Sequence, residues 1–186
     1  ERTKFSGMLK APVAEESLPA PREMVKHWTL AELAETPAGD RTADLARGRE
    51  LYAAALCATC HVCGTTGRPV GPDLTMVANR FSRRDLLESI LDPSAVVAEV
   101  HRNVVVTKTD GSTVMGRIVQ NDFRESKLTL TTNPFVPSEL VTLPKGEIRS
   151  WEESPVSPMP PALLDTLSQD EIEDLLAFLL AGGKVD

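Results

Sequence analysis

The chain has 186 residues, 41% hydrophobic and 25% charged, which fits one soluble globular domain or one domain with a substantial insertion. The formal net charge is -7, and no basic patch interleaves with aromatics, which excludes nucleic acid as a partner. The longest apolar run, Leu175 to Ala181, is too short to span a bilayer, and aromatics make up only 4% of the chain, few large flat side chains for a core.

Residues 1–27 are rich in proline and charge, with Pro12, Pro19 and Pro21 closely spaced, and read as an N-terminal arm or linker on which Phe5, Met8 and Leu9 offer docking points. Thr29-Leu30-Ala31-Glu32 has the form of a capping box opening a short helix that Pro37 and Gly39 close. A longer helix starts near Thr42, with Leu45, Gly48, Leu51, Tyr52 and Ala55 at helical spacing. It delivers the chain into Cys57-Ala58-Thr59-Cys60-His61.

Two cysteines two residues apart, with histidine directly after the second, is the attachment pattern of c-type haem. Each thiol adds across one vinyl group of the porphyrin. The spacing presents both sulfurs to neighbouring vinyls and carries the imidazole under the ring centre, where one nitrogen binds iron. A thioredoxin-like pair needs a strand leading into the motif, and none is predicted. Zinc usually recruits two separated ligand pairs, and Cys63 supplies only one more thiol. With Cys57 and Cys60 consumed by haem, Cys63 is left as a free thiol or an intermolecular bridge, which makes a homodimer one expectation.

Past the motif, a glycine-rich loop contains Gly71-Pro72-Asp73-Leu74. A metal-bound histidine usually donates its second ring N–H to a fixed acceptor, and the Pro72 carbonyl is a candidate; an ordinary turn is the equal alternative. Ser82 caps a helix with apolar face Leu86, Leu87, Ile90 and Leu91, stopped by Asp92-Pro93, and Ser94 starts a further helical turn through Val100. From Asn103 to Trp151 the pattern switches to alternation, with Asp110-Gly111 marking a tight hairpin, so a small antiparallel sheet or barrel is expected there. Ser168-Gln169-Asp170-Glu171 is another capping box, opening a last helix over residues 170–181 that Gly182 stops.

The second axial position can be filled by histidine, by methionine or by nothing. His27 in the arm and His101 at the sheet edge lack a local setting that suggests a ligand. Met76 is close in sequence to His61, on the same side of the ring, and Met115 falls on a predicted strand, where a core role fits better. Met159 lies between prolines just before the last helix, where a rigid loop can present its thioether, and is the favoured residue; packing on the core is its other reading.

Taken together, these features resemble the class I cytochrome c family, in which a first helix leads into the C-x-x-C-H motif, a Gly-Pro loop buttresses the histidine and a Met-Pro loop supplies the distal ligand. The closer resemblance is to the Planctomycete-type C-terminal haem-binding domain. It is carried by Gly48 to Tyr52, Cys57 to His61, Gly71 to Thr75, Arg80-Phe81-Ser82, Ile90 to Ser94, Asp110-Gly111, Ser157 to Pro160 and Leu175 to Leu179. Cys63 departs from that pattern. The resemblance implies a mainly α, class I cytochrome c-like haem fold in segments 28–102 and 152–186, with an antiparallel β subdomain inserted at 103–151. It implies one covalent haem c with iron, attached through Cys57 and Cys60 and ligated by His61 and Met159. Pro72 would orient His61, and Arg80 would pair with a haem propionate, a plain surface arginine being the alternative. The expected function is single-electron transfer with a redox partner protein or a fused dehydrogenase domain, in the periplasm or otherwise outside the cytoplasm. Haem attachment of this kind requires export, and the chain opens on Glu1 without a signal peptide, so a fragment of a longer protein is expected. The other functional reading is a haem sensor or peroxidase-like domain with an exchangeable sixth ligand, which would call for distal polar groups.

Overall fold

The computed structural model describes residues 19–34 and 42–185. The expected docking of Phe5, Met8 and Leu9, and the helix stop at Pro37 and Gly39, lie outside these. Four α-helices are described: α1 (Leu30–Ala34), α2 (Leu45–Ala54), α3 (Arg83–Leu91) and α4 (Gln169–Leu180). The strands are β1 (Val62–Cys63), β2 (Thr66–Gly67), β3 (Val104–Lys108), β4 (Thr113–Asp122), β5 (Lys127–Thr131), β6 (Leu140–Pro144) and β7 (Ile148–Glu153). The described residues are about 30% helical and 22% strand, so the expectation of a mainly α fold is overturned. The five-stranded antiparallel sheet has a core of its own. The turn of helix expected after Ser94 is also absent, with only a 3-10 turn at Glu99–His101 before β3.

The helical core is organised by the crossing of α2 and α4. At Gly48 a Cβ would stand 2.7 Å from Phe178 Cβ and 2.9 Å from the Asp174 carbonyl carbon, so only glycine lets the two backbones meet there. One turn on, the Tyr52 and Phe178 rings pack tilted at 5.5 Å between centroids. The last helix also buries a charge. Asp174 is 0% exposed, accepts the Asp44 amide at the start of α2 at 2.9 Å and receives Arg47 Nη1 at 3.2 Å. A charged residue in a helix reads from sequence as a solvent face. Here it ties the start of α2 to the middle of α4, which makes up for the cost of burying a carboxylate.

Capping boxes start α3 (Ser82 with Asp85) and α4 (Ser168 with Glu171). The described part of the arm folds back onto the approach to α4. The Val25 amide donates to Asp165 O at 2.7 Å, Trp28 Nε1 to Leu167 O at 3.0 Å, and Arg22 pairs with Glu171 at 2.8 Å. Burial opposes ionisation of Glu171, but the Ser168 amide, Arg22 and Arg47 outweigh it and hold its carboxyl below the usual range. A depressed carboxyl contributes stability that is present above its unfolded value, near pH 4–5, and lost as the pH falls through the lower folded value. Glu171→Gln should therefore lower stability at neutral pH and flatten the acid limb of the stability curve; an unchanged limb in pH-dependent urea melts would show that the carboxylate contributes nothing.

The sheet has strand order β6-β5-β4-β3-β7. Val104, Val106, Leu128, Leu130 and Leu143 form its core, because alternation sends them to one face. Strands β6 and β7 occupy opposite edges, yet only the 3-10 turn Lys145–Glu147 joins them. A flat sheet would put those edges about 19 Å apart, four strand spacings of about 4.8 Å. Four residues span at most about 14 Å. The sheet must therefore curl strongly, and irregular register in β4 (between Ile118 and Gln120) and in β3 (between Thr107 and Lys108) provides the bends. Outside this face the chain enters and leaves side by side, with Val104 opposite Glu153 and the Ser154 amide bonded to Asn103 O at 2.8 Å.

Candidate haem site

The five-residue motif sits directly beyond α2, on a 3-10 turn at Cys57–Thr59. Leu56 precedes it at φ 65, a left-handed turn that stops the helix and swings the chain sideways. The His61 amide bonds to Cys57 O at 2.9 Å, closing one turn that brings both cysteines and the histidine together. The Tyr52 hydroxyl donates to His61 O at 2.7 Å and so ties the motif back to α2. Burial pushes the Cys57 thiol up to about 12, so it stays protonated until it reacts.

The loop after the motif is built to the imidazole. The Val70 and Gly71 amides donate to Cys60 O at 3.0 and 2.6 Å, which lays the loop along the motif. A Cβ at Gly71 would stand 2.8 Å from His61 Cε1 and 3.1 Å from Nδ1, so the loop lies as close to the ring as a backbone can. One residue on, Pro72 O lies 2.8 Å from His61 Nδ1. A carbonyl only accepts, so Nδ1 carries the proton and Nε2 keeps its lone pair. Burial lowers the His61 pKa against the opposing pull of the Pro72 carbonyl, which favours the neutral ring a metal requires.

The other expected site residues are distributed as follows. Met159 is half-buried and packs against the helical core cluster that Cys57, Ala58 and Leu74 also border, with its amide donating to Ser157 Oγ at 3.1 Å. Arg80 is exposed at the end of a 3-10 turn (Val77–Asn79), its guanidinium 5.7 Å from the Phe81 ring centroid. Among the described residues no group of three or more His, Cys, Asp and Glu is placed to hold a metal ion by itself. No helix of the described residues is long and apolar enough to cross a membrane.

Cys63 is a free thiol, one of the two expected outcomes. It is 0% exposed, lying on β1 of the small hairpin that sequence showed only as loop, under the end of α4: a Cβ on Gly183 would stand 2.6 Å from the Cys63 carbonyl carbon. A side chain in that position cannot bridge two folded chains. It should resist thiol reagents in the native holoprotein and react once on denaturation. Fast labelling of the native protein, or a dimer that reduction dissolves, would show the burial to be wrong.

His101, set aside on sequence, proves better placed than expected. Its pKa is lowered by burial first, then by the Arg117 guanidinium and by His61, which puts it within charge–charge range of both. Strand register brings Arg117 there from β4, and no local sequence signal announces it.

The C-x-x-C-H turn, the Nδ1–carbonyl bond and the free Nε2 are the donor set of covalently attached, histidine-ligated haem, and they fit that group. They define a candidate site for covalently attached haem. Residues 45–109 match the family model Cytochrome c, which supports covalent haem c with iron as the cofactor and electron transfer with a redox partner as the role. Among curated proteins none matches the chain.

Proposed function

We propose that the chain is the single-haem electron outlet of a larger, exported, dehydrogenase-like protein of the Planctomycete type, with His61 and Met159 as axial ligands. The observation that carries this reading is the His61 ring, fixed by Pro72 so that Nε2 alone is available to a metal. Bound haem supplies a one-electron iron couple, and thioether ligation favours its reduced form. The protein's part is attachment, orientation and shielding. Each thiol of Cys57 and Cys60 adds across a vinyl double bond: a carbon–sulfur bond forms, the thiol hydrogen passes to the neighbouring carbon, and no oxidant is needed. Tyr52, Gly71 and Pro72 hold His61 so that its orientation does not change with oxidation state, which lowers reorganisation. Arg80 is retained as a partner for one propionate. We take residues 103–151 as an inserted subdomain, 28–102 with 152–186 as the haem domain, and 1–27 as an arm.

A sensor or peroxidase-like reading draws on one observation, the placement of His101 within charge range of both His61 and Arg117. Optical spectra of the oxidised and reduced holoprotein separate the two. A six-coordinate, low-spin spectrum with a thioether signature, unaltered by carbon monoxide, is expected. Ready binding of carbon monoxide by the wild type would put the alternative ahead.

A further inference from the structure

A second group of polar side chains gathers where the chain enters the sheet, and one of them, His101, lies within charge range of His61. His101 closes the 3-10 turn that leads into β3, and its Nδ1 is buried with no hydrogen-bond partner. Arg117 on β4 is half-buried, acts by charge on His101 and makes no ion pair with any described residue. Thr131 on β5 pairs directly with Arg117 across the strands, so both side chains leave the sheet on the face opposite Ile118 and Leu130. Thr131 is 8% exposed, and its Oγ1 is also buried and unpartnered. Arg117 thus pairs across the strands with Thr131 and acts by charge on His101, and two of the three groups, His101 Nδ1 and Thr131 Oγ1, are buried with no hydrogen-bond partner. Buried polar groups in folded proteins are nearly always hydrogen-bonded, and a guanidinium next to an imidazole is costly unless an anion lies between them.

We propose that Arg117, His101 and Thr131 form a carboxylate seat for a haem propionate, so that the sheet clasps one edge of the porphyrin. This rests on the haem reading above. Haem brings two carboxylates of its own, and Arg80 can serve only one. Arginine's planar fork fits a carboxylate with two parallel bonds, and the hydroxyl and imidazole N–H complete the set of donors. Placing the guanidinium on a paired strand fixes its position relative to the ring. The seat also gives the sheet an electronic role, since a fixed positive charge at the ring edge favours the more electron-rich state of the iron couple.

The test uses holoprotein carrying Arg117→Gln, Arg117→Lys, Thr131→Val or His101→Ala, with Arg124→Gln on the β4–β5 turn as control. The resonance Raman propionate bending band should shift in Arg117→Gln and Thr131→Val and stay fixed in the control. The reduction potential should fall in Arg117→Gln and recover most of that fall in Arg117→Lys, while the axial-ligation spectrum stays that of wild type. Thr131→Val, close to isosteric, serves if Arg117→Gln fails to fold. An unmoved propionate band and potential overturn the proposal. A change of axial ligation in His101→Ala overturns it too, by showing that His101 serves the iron. Absence of any attached haem in the wild type is a different failure, that of the haem reading itself.

Discussion

Met159→Ala should leave the haem attached and strip one axial ligand from its iron. Cys57 and Cys60 hold the ring by covalent bonds, so haem content should be unaffected. The reduction potential should drop by on the order of a few hundred millivolts, since axial-ligand identity commands a span of about 0.8 V. The reduced variant should also take up carbon monoxide, which the wild type should not. Two structural facts motivate the choice. Met159 sits on a loop directly ahead of the α4 approach, and it packs on the same apolar cluster that borders Cys57. Potentiometry with optical detection checks both effects, and a variant with unchanged spectrum and potential would remove Met159 from the site.

Gly48→Ala should be among the most damaging single substitutions in the chain. Its Cβ would stand 2.7 Å from Phe178 Cβ, with the Asp174 backbone as the other neighbour, and backbone does not move aside cheaply. Overpacking of this kind costs about 3 kcal/mol, while the gain in helix propensity returns about 1. A net loss of about 2 kcal/mol lowers Tm by about 4–8 °C for a chain of this length. The same crossing carries the Asp174 anchor and the Tyr52–Phe178 contact, so the loss should be accompanied by weaker protection of the His61 carbonyl bond to Tyr52. Thermal unfolding of the holoprotein measures the effect, and an unchanged Tm would show that α2 and α4 cross less closely.

What could be read from sequence was what is local. The Cys57–His61 motif is five residues long, the Thr29–Glu32 and Ser168–Glu171 capping boxes are each set by residues three apart, and the Asp110-Gly111 turn is an adjacent pair, so each carries its own signal. The elements missed depend on distant partners. The weight of the sheet in the fold was underestimated because its strands were read as additions to a helical frame. The β1–β2 hairpin is only two residues a side, too short for alternation to register, and Cys63 is buried by a helix end 120 residues away. Asp174 reads as a surface charge until the start of α2 is laid over it. His101 acquires its neighbour only through the register that brings β4 beside β3.

The side-by-side entry and exit of the sheet, Asn103 next to Ser154, has a consequence for how the helical core assembles. Without the sheet, α3 and α4 would be separated by a long disordered stretch whose ends must meet. Closing a loop costs about 0.6 kcal/mol for each doubling of its length. Once folded, the sheet replaces roughly fifty flexible residues by a joint a few residues wide, about four doublings, and so spares the core about 2 kcal/mol of closure entropy. In that respect it acts as a cross-link would, without a covalent bond. The contacts between α2 and α4 then form within a chain that is effectively much shorter than its residue count.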